Sequence, residues 1–305
     1  MAQVSINKLH TLSGHADSVY NLCQGSSEGT FYSSAGDGIV ALWNLNDPKD
    51  GQMSARVENS VYAIDFNISS NLLAVGHNYD GLHLINVENK EEVASIKLTT
   101  EAIFDLKFFG KYVFVGTGDG QIIVVDSEKV ASVETIKKSS ERVRRLFINE
   151  QRGELLAAYS DNFIRVFDLR SLDMKHEFAA HDNSVFSFTI SPNGNYLLSV
   201  GRDARINVWD IKANYLKVES IVAHMYAIND IAFSPNGGHF VTCSMDKSIK
   251  VWDYERMKLI KVIDKSRHAG HGTSVNKLLW TRHNDWLVSC SDDRTISVWD
   301  IDIKN

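Results

Sequence analysis

The chain has 305 residues, of which 44% are hydrophobic and 23% charged, close to the average for a soluble globular protein. That length can bury a large core without covalent staples. Lys and Arg number 32 against 38 Asp and Glu, a formal net charge of −6, which argues against non-specific binding to a phosphate backbone as the main activity. No apolar run approaches the length of a membrane span. Residues 1–10 lack the apolar centre of a secretory signal. The three cysteines lie far apart, so a reducing cytoplasm is the expected setting.

Read in order, the chain is a succession of short β-branched and aromatic runs broken by Gly, Asn, Asp and Ser. Only three prolines occur, against 19 glycines, and long helical periodicity is missing. Val4–Leu12 is a first candidate strand, ahead of Gly14-His15. The stretch from Ala180 shows one unit most clearly. Val185–Ile190 reads as a strand, Ser191-Pro-Asn-Gly194 as a turn, and Tyr196–Val200 as a second strand. Gly201-Arg-Asp-Ala204 is a tight turn, Ile206–Asp210 a third strand and Leu216–Ile221 a fourth. Ser234-Pro-Asn-Gly237 repeats the same turn one unit later.

The units recur at a fixed period. His15, His181, His224 and His271 each stand 22 residues before Asp37, Asp203, Asp246 and Asp293. Each aspartate is followed 6 residues later by Trp43, Trp209, Trp252 or Trp299, and preceded by 4 residues by Ser33, Ser199, Thr242 or Ser289. Three weaker copies lie between, with Ile85, Val125 and Phe167 at the Trp position and Val57, Thr99 and Ser139 at the His position. The second is the most eroded, with an irregular turn at His77-Asn-Tyr-Asp-Gly81. Steps between the seven Trp positions run from 40 to 47 residues. The expected repeats are 13–55, 56–97, 98–137, 138–179, 180–222, 223–265 and 266–305.

Four-stranded units of this length, with Gly-His or Ala-His early and Trp-Asp late, resemble WD-repeat (WD40) β-propellers. The matching pairs are Gly14-His15, Ala180-His181, Ala223-His224, Gly270-His271, Trp209-Asp210, Trp252-Asp253 and Trp299-Asp300, with Trp43-Asn44 and Phe167-Asp168 close to them. The last two copies most resemble single-propeller proteins of bacteria. The resemblance implies an all-β fold: one seven-bladed propeller with four-stranded antiparallel blades. The last unit reaches only Asn305, five residues past Asp300, so residues 3–12 are expected to supply its outer strand and close the ring.

His, Ser and Asp together also suggest a hydrolase triad, but a nucleophile site occurs once per domain and this set occurs four times. The resemblance implies a buried hydrogen-bonded chain running from Trp through Ser or Thr and His to Asp. His268-Ala-Gly-His271 offers two histidines, but His271 already belongs to that set, and no Cys pair has ligand spacing. No metal or cofactor is expected. Gly116-Thr-Gly-Asp-Gly120 reads as a strand-to-strand turn rather than a phosphate cradle, since no helix follows it.

In the family, partners are often gripped around the channel mouth, on the face that carries the His and turn-Asp loops. Five residues after the His position stand Tyr20, Tyr62, Phe104, Arg144, Phe186, Asn229 and Asn276. Three residues after it stand Ser18, Ser60, Ala102, Arg142, Ser184, Ala227 and Ser274. Before the turn aspartate come Gly36, Gly118, Ser160, Arg202, Met245 and Asp292. The resemblance thus implies an aromatic mouth flanked by Arg142, Arg144 and Arg202, suited to a partner with an apolar anchor and an anionic group. Local acids such as Glu141 or Asp161 are the alternative partners of those arginines.

The expected function is a non-enzymatic scaffold: a monomeric ring that binds protein or peptide partners, with no membrane role. One alternative is an RNA-associated subunit that uses the run Arg142–Arg145. Another is an enzyme with a channel active site, for which Asp65 and Asp105 on inner strands are the only candidates and show no partner in the sequence.

Overall fold

A computed structural model describes residues 3–304. They form seven four-stranded antiparallel sheets. In the first six the strands follow chain order. Blade 1, for example, runs Val19–Gln24, Thr30–Ala35, Ile39–Asn44 and Gln52–Arg56. The first strand of each sheet touches the first strands of the sheets before and after it, and blade 1 touches Val275–Trp280 of blade 7. Seven such contacts close a ring around a channel. No helix among the described residues is long and apolar enough to cross a membrane.

Each pair of neighbouring blades encloses its own apolar cluster. Phe114, Leu146, Leu155 and Phe167 fill the wedge between blades 3 and 4, for instance, and Val200, Ile206, Ile231 and Phe240 that between blades 5 and 6. The second strand of a blade is therefore buried on both faces, as in Glu154–Tyr159, and reads as a continuous apolar run. The outermost strand is mostly solvent-facing, as in Ala131–Lys137. This is why β-branched and aromatic runs occur everywhere and clean alternation is rare.

Blade 7 is ordered differently. Its outer strand is Gln3–Leu12, paired antiparallel with Ile296–Lys304 from Leu12 opposite Ile296 out to Val4 opposite Ile303. Leu12 is buried between blades 7 and 1, and Ile6 packs on the cluster between blades 6 and 7. The first and last segments of the described chain thus share one sheet, and a strand edge that would otherwise stand open is covered.

The repeated polar positions form one hydrogen-bonded chain in each of four blades. In blade 5, Trp209 Nε1 donates to Ser199 Oγ at 2.9 Å, Ser199 Oγ lies 2.8 Å from His181 Nε2, and His181 Nδ1 lies 2.9 Å from Asp203. Indole N–H only donates and carboxylate only accepts, so the direction is fixed from Trp to Asp. The hydroxyl donates to Nε2, and Nδ1 carries the proton. The chains Trp43–Ser33–His15–Asp37, Trp252–Thr242–His224–Asp246 and Trp299–Ser289–His271–Asp293 repeat it. Burial pushes the Asp203 carboxyl up, but hydrogen bonds from His181 and from the Arg205 and Asp182 amides outweigh this and hold it below the usual carboxylate range. Where Trp gives way to Ile85, Val125 or Phe167, the hydroxyl position becomes Val75, Val115 or Ala157. The Trp and the hydroxyl are lost together, because a lone survivor would be buried without a hydrogen bond, while the turn aspartates Asp119 and Asp161 persist with other partners, Thr117 and Arg165. Asp203→Ala is expected to lower stability by about 1–3 kcal/mol, read as the urea midpoint, with partner binding retained. Unchanged stability with lost binding would point instead to a chemical role for the set.

The 47-residue step between Trp252 and Trp299 has a local cause that sequence reading missed. A one-turn helix, Lys265–His268, is inserted between blades 6 and 7, and Asp264 caps it by accepting from Arg267 N at 2.9 Å. His268 sits on this turn and His271 in the polar chain of blade 7.

Candidate functional site at the channel mouth

The innermost strands create the site through a repeated irregularity. In six blades the ladder skips one residue near the start of the first strand, between Val19 and Asn21, Ile103 and Asp105, Val143 and Arg145, Val185 and Ser187, Ile228 and Asp230, and Val275 and Lys277. The skipped residues are Tyr20, Phe104, Arg144, Phe186, Asn229 and Asn276. A bulge frees its extra residue from the ladder and re-aims the side chain. Tyr62 reaches the same level from the loop just before Ala63–Asn67. All seven line one cavity of about 300 Å³, floored by Asn21, Asp105, Arg145 and Lys277.

The mouth is two-sided. Tyr20 meets Tyr62 edge-on at 4.8 Å, and Tyr62 stacks on Phe104 at 5.7 Å. Arg144 then lies between two rings, 4.8 Å from the centre of Phe104 and 4.6 Å from that of Phe186. Arg142 approaches Phe104 from outside at 5.7 Å. Burial, with some help from Arg142, pushes the Arg144 guanidinium down to about 10, still charged at neutral pH. Opposite, Asn229 and Asn276 donate to the main chain of the next blade, at Val275 O and Val19 O. They tie blades together while lining the cavity.

The local acids do not take these arginines. Asp161 pairs with Arg165 at 2.8 Å, and among the described residues no carboxylate lies within ion-pair distance of Arg142, Arg144 or Arg202. Arg145 is a correction to the Arg142–Arg145 run. Its guanidinium lies on the cavity floor, 3.7 Å from Asp105.

A second correction concerns Asp65 and Asp105, which do have partners. Asp65 accepts from Lys107 Nζ at 2.9 Å and Phe108 N at 2.8 Å. Asp105 accepts from Leu146 N at 2.8 Å and faces Arg145. Asp230 completes the set, holding Ser187 Oγ at 2.6 Å, Leu278 N at 3.1 Å and Lys277 Nζ at 3.4 Å. Each acid bonds to the blade that follows it, and Asp230 also accepts from Ser187 on the blade before it. Burial acts against ionised Asp230, but Lys277, Arg145 and these donors outweigh it and lower its pKa. Three acids matched by three bases form a charged belt around the channel.

Sequence reading placed Met245 and Arg202 on this face but missed their neighbours. Met225 and Tyr226 are 82% and 62% exposed beside Met245 at 52%, held together because Met245 N donates to Ala227 O and Ser244 Oγ to Tyr226 O. Two large apolar residues directly after His224, where Ala16-Asp17 and Asp182-Asn183 follow His15 and His181, were the available signal. Cys23, Cys243 and Cys290 are buried free thiols.

A closed ring of seven blades, braced by four identical polar chains and open at an aromatic mouth, is a repeat propeller. The chain belongs to the WD40 family: the family described as "WD domain, G-beta repeat" matches residues 6–44, 173–210, 216–253 and 262–300. Those segments include all four complete polar chains and, of the three eroded blades, take in only the outer strand Met174–Ala179 of blade 4. Human Striatin-3 is 26% identical over 220 residues, covering 70% of this chain and 23% of its own length. WD repeat-containing protein SL1-17 of Schistosoma mansoni is 23% identical, covering 66% of this chain and 81% of its own. The chain thus spans about a quarter of the striatins it matches. The crystal structure of the WD40 β-propeller domain of Doa1 superposes with a TM-score of 0.84 at 17% identity, covering 98% of this chain and 97% of the other.

Proposed function

We propose that the protein is a non-enzymatic scaffold that grips an extended segment of a partner protein at the channel mouth. Arg144 carries this reading. Its guanidinium is positioned by Phe104 and Phe186 and has no carboxylate partner among the described residues, so its donors remain for an acidic side chain, a carboxy terminus or a phosphate on the ligand. Tyr20, Tyr62 and Phe104 beside it supply an apolar anchor site of low conformational cost. The exposed group Met225, Tyr226 and Met245 extends the same face outward and suits an apolar part of the partner. Neutral pairing of the channel acids supports a non-enzymatic role. The buried thiols fit a reducing cytoplasm.

RNA binding is weaker on the same grounds, since Arg145 is committed to Asp105 and only Arg142 and Arg144 remain of the run. Capture of partners from the native cell tests the face. Phe104→Ala and Arg144→Ala should each lose partners that the wild type retains. Val133→Asp, on the exposed outer strand Ala131–Lys137, should keep them. Equal capture by all variants would remove the mouth from consideration.

A further inference from the structure

Blade 2 has lost every member of the repeated polar chain, with Val57, Val75 and Ile85 in their places, yet it gathers a different polar set at the same turn. His77 ends the strand Leu72–His77, Asp80 lies in the turn, and His83 lies on Gly81–Asn86. His77 Nδ1 is 3.2 Å from His83 Nε2 and 3.5 Å from Asp80 Oδ2. All three donor atoms lie within 4.8 Å of one another. We propose that His77, Asp80 and His83 bind a zinc ion, with Glu92 orienting His83, as this blade's substitute for the lost polar chain.

The donor chemistry fits. His83 Nδ1 is 2.5 Å from Glu92 Oε1. A carboxylate only accepts, so the proton sits on Nδ1 and the Nε2 lone pair faces His77 and Asp80. This carboxylate–histidine arrangement is the usual outer support of a metal-bound imidazole. Tetrahedral zinc, with bonds of about 2.0–2.2 Å, sets its ligand atoms roughly 3.3–3.5 Å apart. The two separations from His77 lie close to that span, and Asp80 must turn toward His83 to complete the set. Asp80 is 38% exposed and free to turn inward. The fourth position faces a groove of about 900 Å³ beside Glu58 and Tyr79, open to water or to a side chain from a partner.

The test uses the full chain stripped by a chelator, then titrated with Zn²⁺ against a chromophoric competitor and, separately, with Co²⁺. One equivalent should bind, and cobalt should give the intense visible bands of four-coordinate geometry. His83→Gln and His77→Gln should each weaken binding by more than about 100-fold. Glu92→Gln should weaken it by about 10–100-fold, as outer partners do. Should a histidine variant fail to fold, Asp80→Asn, at a half-exposed turn position, carries the same expectation of weakened binding and loss of the cobalt bands. Absence of saturable binding by the wild type, a six-coordinate cobalt spectrum, or affinity unchanged in folded His83→Gln or Asp80→Asn overturns the proposal.

Discussion

Removal of residues 1–12 is expected to lower the unfolding free energy by about 5 kcal/mol or more, enough to consume most of the roughly 5–15 kcal/mol that holds a typical domain folded. Leu12 is buried in the wedge between blades 7 and 1, with Leu9 packed beside it, and Ile6 packs between blades 6 and 7. Burying each of these side chains contributes about 1.5–3 kcal/mol. The backbone ladder to Ile296–Lys304 is lost as well, and the freed edge becomes a template for pairing with another chain. The loss should appear as a lower thermal midpoint together with concentration-dependent aggregation. Equal midpoints for truncated and full-length protein would contradict closure by this strand.

Asp230→Ala should cost about 3–5 kcal/mol, the usual penalty for breaking a buried ion pair from one side. Lys277 would keep its charge in the channel wall without its nearest acid, and Ser187 Oγ and Leu278 N would lose their acceptor. Burial and Arg145 already lower the Lys277 pKa against the pull of Asp230, so loss of that carboxylate drives it lower still. Asp230→Asn keeps one acceptor, for Leu278 N, and its amide N–H can donate to Ser187 Oγ, so it should cost less than Asp230→Ala. Chemical denaturation of the three proteins gives the order directly. If Asp230→Ala matches wild type, the charged belt is not part of the scaffold.

The fold was legible because four polar chains survive intact, and their fixed spacing cannot drift without stranding a buried partner. Ring closure was legible for a related reason: the last repeat was one strand short and Val4–Leu12 had no other sheet to join. The mouth was legible only through the resemblance, since the residues at the bulges range from Tyr20 to Asn276 and share position rather than chemistry. Arg144 is the residue that the bulge frees and Arg145 the one that returns to the ladder, so counting the run Arg142–Arg145 as one edge overlooked their different settings. The pairing of Asp65 with Lys107 and of Asp105 with Arg145 joins residues about one repeat apart, so no local pattern announced it. The cluster at His77, Asp80 and His83 was hidden in the turn that looked merely degenerate.

The most direct test of the scaffold reading is the affinity of a purified captured partner for wild type, Phe104→Ala and Arg144→Ala at two salt concentrations. A peptide held at the mouth loses about 2 kcal/mol or more with either change, as a central interface residue does, and depends only modestly on salt. Affinity unchanged by both substitutions, or one that collapses with salt as counterion release from a nucleic acid requires, would contradict it.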